Sequence, residues 1–337
     1  MILVTGSTGL VGSHLLYHLI KDGNTVRALY RTETKIKTVK HVFSYYEKDV
    51  DSLFSKIEWI QGDINDLPSL EKAFNDVTYV YHCAALVSFD PNDYRKLRKI
   101  NIKGTANIVN LCIDNNIKKL CYVSSIAAIG EASKNDCISE TSEWNPESDH
   151  SVYAITKYGA EMEVWRGTQE GVNSVIVNPG IIVGPGYWRT SSGALFKRIY
   201  KGQKYYTTGV SGYVDIDDVV IPMIELMKSS IKNERYILVS ENLSFKDFAT
   251  SVAKKLNVKP PQKEASKLLL NIAWRLDWLN YFFKRKYRKL TKQMVKSVTS
   301  DSFYSNKKIL KDLPSFKFKT IEESIDSSSV YFLKDHH

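Results

Sequence analysis

The first twelve residues, Met1-Ile2-Leu3-Val4-Thr5-Gly6-Ser7-Thr8-Gly9-Leu10-Val11-Gly12, constrain the fold more than any other stretch of the chain. Ile2, Leu3 and Val4 read as a short buried strand, and Gly6, Gly9 and Gly12 as a tight turn. Leu15, Leu16, Leu19 and Ile20 form the apolar stripe of a helix that Gly23 can end. Glycine in such a turn lets the backbone approach a pyrophosphate, while the free amides and dipole at the helix start favour its negative charge. Strand, glycine turn and helix in that order predict a dinucleotide site.

The pattern then repeats. Strands are predicted at residues 25–30, 56–61, 78–84, 120–124 and 173–177, with helices at 67–75, 101–115 and 153–168 between them. Strands joined by helical crossovers imply an α/β, Rossmann-type, doubly wound parallel sheet. After Pro179 the pattern loosens. Gly184-Pro185-Gly186 and Ser191-Ser192-Gly193 mark loops, a helix follows at 217–227 and a strand at 235–239, and from Ser244 the chain is mostly helical, interrupted at Pro260-Pro261. Residues 1–179 are expected to bind the dinucleotide, with 216–239 returning to that domain. Residues 180–215 and 240–337 are expected to form a smaller, mostly helical, discontinuous substrate domain.

At 337 residues the chain can bury a sizeable core, and no apolar run approaches the roughly 20 residues of a membrane span. A strand beginning at residue 2 leaves no room for a cleavable signal, and Cys83, Cys112, Cys121 and Cys137 have no metal-binding spacing. A cytoplasmic protein with reduced thiols and no metal is expected. The net charge of +10 is uneven: residues 254–319 hold 18 Lys/Arg against 4 Asp/Glu. That basic third is either a solvated face or a surface for an anionic partner. No nucleic-acid motif accompanies it, so no nucleic acid is expected.

About 20 residues past the glycine turn, an acidic residue would hold the ribose of NAD. The second strand instead ends Tyr30-Arg31-Thr32, and Glu33 comes two residues late. Arg31 offers a planar fork for a 2′-phosphate, and Lys35 or Lys37 can add charge, which favours NADP, with NAD as the alternative. The competing role for Arg31 is stacking on adenine.

Tyr153-Ala-Ile-Thr-Lys157 has the YxxxK spacing, which sets both side chains on one helix face. A phenol with a pKa near 10 is a poor acid–base group at neutral pH, and a neighbouring ammonium favours its ionised form. The lysine can also bond the nicotinamide ribose. Ser124-Ser125-Ile-Ala-Ala-Ile-Gly130 follows the fifth strand.

Together the TGxxGxxG turn, YxxxK and the serine segment resemble the extended short-chain dehydrogenase/reductases: the NAD(P)-dependent epimerase/dehydratase group, and within it the branch of dihydroflavonol reductases and 3β-hydroxysteroid dehydrogenases. The resemblance implies that Ser125, with Ser124 as the fallback, polarises the reacting oxygen, that Tyr153 is the acid–base group, and that Lys157 tunes it. It implies that Asn101, in Asn101-Ile-Lys-Gly-Thr-Ala-Asn107, buttresses the site. It also implies cofactor contacts from Gly6, Thr8, Gly9, Leu10, Val11 and Gly12, from Asp63 and Ile64 after Gly62, and from Ala84, Ala85 and Val87 after Cys83. Ser124, Pro179, Gly180, Ile181 and Ile182 complete that set. Asn178 before Pro179 is nearer the reductase branch, and residues 213–219 and 305–325 resemble the family's later segments. A homodimer and a small-molecule substrate are expected.

Three functions follow. One is an NADP-dependent reductase or dehydrogenase for a bulky alcohol or ketone. The second is a nucleotide-sugar epimerase or dehydratase holding NAD tightly, and the third a non-catalytic NADP-binding regulator. The unusual segment is 267–292, with Trp274, Trp278, Tyr281 and Phe282 at helical spacing before Lys284, Arg285, Lys286, Arg288, Lys289 and Lys292. It packs into the core, covers the substrate, or rests on an anionic membrane.

Overall fold

The structure, a computed structural model, describes residues 1–132, 136–190, 192–284 and 290–336, and the backbone alone at 282–284. Ser191 and the basic residues Arg285, Lys286, Arg288 and Lys289 lie outside the described residues, as does the side chain of Phe282.

Six strands of the first half are β1 (Ile2–Thr5), β2 (Val26–Tyr30), β3 (Ile57–Gln61), β4 (Tyr79–His82), β5 (Lys119–Val123) and β6 (Ser174–Pro179). Later come β7 (Ile181–Val183), β8 (Tyr205–Tyr206), β9 (Val210–Asp215), β10 (Glu234–Leu238), β11 (Glu241–Ser244) and β12 (Lys263–Glu264). Seven strands form one sheet in the order β10-β6-β5-β4-β1-β2-β3, with every neighbouring pair parallel.

Alternation along the strands explains why helices cover both faces. Leu3 points into one apolar cluster, with Leu70, Ile108, Leu120, Tyr122 and Ile176. Val4 points into the other, with Leu16, Cys121, Val123, Val175 and Met223. The strand order reverses at β1 and β4, whose carboxyl ends open the crevice where ligands bind in such sheets.

Two departures from the expected pattern lie beside the crevice. Residues 181–183, where no strand was expected, form β7, which pairs with β9 and through it with β11 in a small mixed sheet. Such a short strand has too few residues to show periodicity, and partners distant in sequence create it. The helix expected at 101–115 begins earlier, at Tyr94, and widens into a π turn over Arg98–Lys103 before continuing over Gly104–Asp114. That turn contains Asn101, and π turns recur at functional sites.

Candidate functional site

Gly6 has φ +65°, and a Cβ there would sit 2.5 Å from the Ala84 amide nitrogen. A Cβ on Gly12 would strike the Gly6 carbonyl. Both positions therefore require glycine for the turn to close against the end of β4, leaving the amides at the start of the helix Leu10–Lys21 as an anion cradle. Leu10 and Val11 anchor that helix start against the core. The Thr8 carbonyl accepts a bond from the Tyr187 hydroxyl at 3.0 Å. This construction fits a dinucleotide.

The cleft beside the turn is lined by Gly6, Thr8, Gly9, Leu29, Arg31, Lys35, Gly62, Ile64, Cys83, Ala84, Ala85 and Ile100. Two cations thus stand where β2 ends. Arg31 is well exposed and lies 3.7 Å from the Asp63 carboxylate. Burial pushes the Asp63 carboxyl up, but the amide and side chain of Asn65, with Arg31 beside them, bring it below its ordinary value. Ile64 is buried, and its carbonyl accepts from Asn107 at 2.9 Å.

The segment after β4 leads from this cleft to the catalytic candidates. Asn101 clamps it: its side-chain oxygen accepts from the Leu86 amide at 2.8 Å, and its amide donates to the Leu86 carbonyl at 3.0 Å and to Thr156 at 3.2 Å. Val87 is exposed, and two residues on the Phe89 ring meets Tyr153 edge-on at 5.5 Å.

The helix Val152–Gln169 starts at Ser151, whose hydroxyl accepts from the Ala154 amide at 3.1 Å. Tyr153, Lys157, Glu161 and Trp165 recur every four residues along it, one stripe facing the ends of β5 and β6. Burial pushes the Tyr153 phenol above its ordinary value, while a hydrogen bond with Ser125 pulls it back. The Lys157 ammonium, fully buried, donates to the Tyr122 hydroxyl at 2.7 Å and the Val123 carbonyl at 2.8 Å. Burial brings Lys157 down to about 7, against the opposing pull of Glu161 and Cys83.

Two buried networks hold these groups, and sequence reasoning missed both. Thr5 bonds His82 at 2.6 Å, His82 bonds Thr105 at 2.9 Å, and the His82 ring stacks on Tyr122, whose hydroxyl Lys157 touches. This chain ties the glycine turn to the lysine. His82 is driven down to about 3 by burial and is therefore neutral. The second network centres on Glu161, which has no exposed surface. Its carboxylate accepts from Ser124 at 2.6 Å, Asn178 at 2.9 Å, Arg235 at 3.0 Å and Trp165 at 3.4 Å. Asn178 also donates to the Ser125 carbonyl at 3.0 Å, so the backbone of the candidate serine is fixed through Glu161. The four-residue spacing from Lys157 was a usable signal for Glu161. Arg235 had none, because β10 reaches the site by sheet pairing alone.

Pro179 ends β6, and a Cβ on Gly180 would strike the Gly212 carbonyl, so only glycine lets the chain leaving β6 pass this close to β9. Ile181 and Ile182 follow in β7 as half-buried side chains. Ser124, Ser125, Tyr153, Lys157 and Asn101 therefore converge, while Arg31, Asp63 and Ile64 sit at the other end of the crevice.

Comparison with known proteins gives the family of the chain. The model of the NAD dependent epimerase/dehydratase family matches residues 2–238. The chain is 30% identical over 281 residues to a putative dihydroflavonol 4-reductase of Synechocystis sp., covering 80% of this chain and 77% of the relative. It is 28% identical to sterol demethylase protein B of Methylococcus capsulatus, covering 71% and 70%. Among solved structures it resembles gox2253 with a TM-score of 0.82 at 24% identity, covering 99% and 98%. It also resembles the UDP-glucose 4-epimerase of Thermotoga maritima, with a TM-score of 0.77 at 21% identity, covering 100% and 99%. A match running from β1 through the glycine turn, Ser125, Tyr153 and Lys157 to β10 means that the chain belongs to the NAD dependent epimerase/dehydratase family.

Proposed function

We propose that this member is an NADP-dependent reductase or dehydrogenase acting on a ketone or secondary alcohol of a bulky, largely apolar small molecule. The observation that carries the reading is the anchoring of Lys157 on the Val123 carbonyl at the end of β5, which sets Tyr153, one turn earlier on the same helix face, beside Ser125. The glycine turn, Asp63, Ile64, Ala84, Ala85 and residues 179–182 would hold the dinucleotide, with Arg31 and Lys35 at the 2′-phosphate. When bound, the cofactor supplies or accepts a hydride.

The protein's own groups handle the proton. Tyr153, kept protonated by burial, donates to the substrate oxygen in the reducing direction and takes the proton back in the other. The Ser125 hydroxyl stabilises charge as it develops on that oxygen, and also on the phenolate left behind. Lys157 has two donors committed to Tyr122 and Val123, so its charge is held at a set distance from the reaction. Phe89 against Tyr153 gives the pocket an apolar wall suited to a ring or acyl substrate. The names of the reductase relatives and of the sterol demethylase protein support the same class.

Tyr153→Phe should lower turnover by about a hundredfold or more with cofactor affinity preserved, since one acid–base group typically supplies that factor. Arg31→Asp should weaken NADP by about tenfold or more while leaving NAD little changed, read by titrating both cofactors. Equal losses for the two would remove the 2′-phosphate role. Stoichiometric NAD released on denaturing the purified protein would favour an epimerase instead.

A further inference from the structure

The helix Lys267–Lys284 is turned the wrong way for a core helix. Leu268, Ile272, Leu276 and Leu279 form one stripe along it, with Leu269 beside them, and their exposures are 73, 50, 54, 44 and 44%. With the half-exposed Trp278, this helix holds more exposed large apolar side chains than any other element among the described residues. Its inner stripe is the mixed one: Leu270, Asn271, Ala273, Trp274, Asp277 and Tyr281 are the half-buried positions. The Arg275 guanidinium lies over the Trp274 ring at 4.6 Å.

Its position bears on the catalytic opening. The Tyr281 hydroxyl bonds Asn92 at 3.2 Å, on the loop that carries Phe89 against Tyr153. The helix that follows, Lys292–Thr299, reaches the other side: Gln293 and Lys292 both contact Asp149 at 3.2 Å, two residues before the Ser151 cap of the Tyr153 helix. The two helices are thus fastened to both loops that border Tyr153, with the leucine stripe facing outward.

We propose that this stripe is a docking surface for an anionic lipid bilayer, which seats the mouth of the active site on the membrane and lets an apolar substrate enter from it. Charge selects this occupant. The sequence of the stripe and of the helix after it, residues 267–296, has 9 Lys/Arg against 1 Asp/Glu, an excess that a second copy would repel and an anionic headgroup layer attracts. The helix is about 27 Å long and interrupted by Arg275 and Asp277, so it lies in the interface; no helix among the described residues is long and apolar enough to cross a membrane. The orientation of the mouth rests on the reading of Tyr153 given above, but the docking does not.

The test is flotation of the full chain with phosphatidylglycerol-rich vesicles and with phosphatidylcholine vesicles, together with the variant Leu268→Gln/Ile272→Gln/Leu276→Gln. These side chains are exposed, so the variant should keep the thermal midpoint of the parent. Binding at least roughly tenfold tighter to the anionic vesicles, weakened by salt and lost in the variant, is the expected result. No flotation, or flotation unchanged in the variant, overturns the proposal. So does self-association that the variant abolishes without vesicle binding in the parent. Because binding is read without turnover, a failed Tyr153 assignment would leave this result standing.

Discussion

Lys157 holds an ammonium where water cannot reach it, and the consequence is measurable. Its pKa of about 7 in the fold lies far below the ordinary lysine value near 10.4. Between those two values the unfolded chain binds a proton that the folded chain does not, so this group adds stability as pH rises through that window. Denaturant titrations at pH 7 and 9 should show the parent gaining about 1 kcal/mol per pH unit over Lys157→Met. A pH-independent difference would mean that the lysine stays fully charged when buried. The pair Tyr153 and Lys157 was legible because its spacing is a local fact, and Ser125 through the family resemblance. That Lys157 would bond Tyr122 and the Val123 carbonyl was not, since burial and register across β5 decide it.

The glycine turn is the element with the least tolerance. Gly12 lies in the first turn of a helix whose first amides make the anion cradle, and any side chain there meets the Gly6 carbonyl. Gly12→Ala should therefore open the turn and weaken dinucleotide binding by about tenfold or more, measured by cofactor titration, with the far side of the sheet unaffected. Strands of the large sheet were readable from apolar runs of four to six residues buried on both faces. The short β7 was not, because an element of three residues has no period and exists through β9. Helical spacing in residues 267–284 correctly implied a helix but not its facing, which depends on what it is fastened to.

For the whole molecule, the joint between the catalytic helix and the sheet is the buried pair Glu161 and Arg235. Removing the carboxylate charge leaves the Arg235 guanidinium facing Glu140 and Ser142 carbonyls alone. Glu161→Gln should cost about 3 kcal/mol of stability, read as a lower denaturant midpoint, and should also loosen Ser124 and Asn178 behind Ser125. An unchanged midpoint would show that the pair is replaceable. By itself the sequence determined the strand–turn–helix alternation, the class of cofactor and the Tyr153–Lys157 pair, because each rests on residues adjacent or one helical turn apart, while Ser125 followed from the family resemblance. The tertiary structure alone decided which buried groups hold those candidates and which way the Leu268 stripe faces. Thr5, His82, Thr105, Tyr122, Glu161 and Arg235 come from separate strands and helices, and only packing across the sheet brings donors and acceptors that distant in sequence within hydrogen-bond reach.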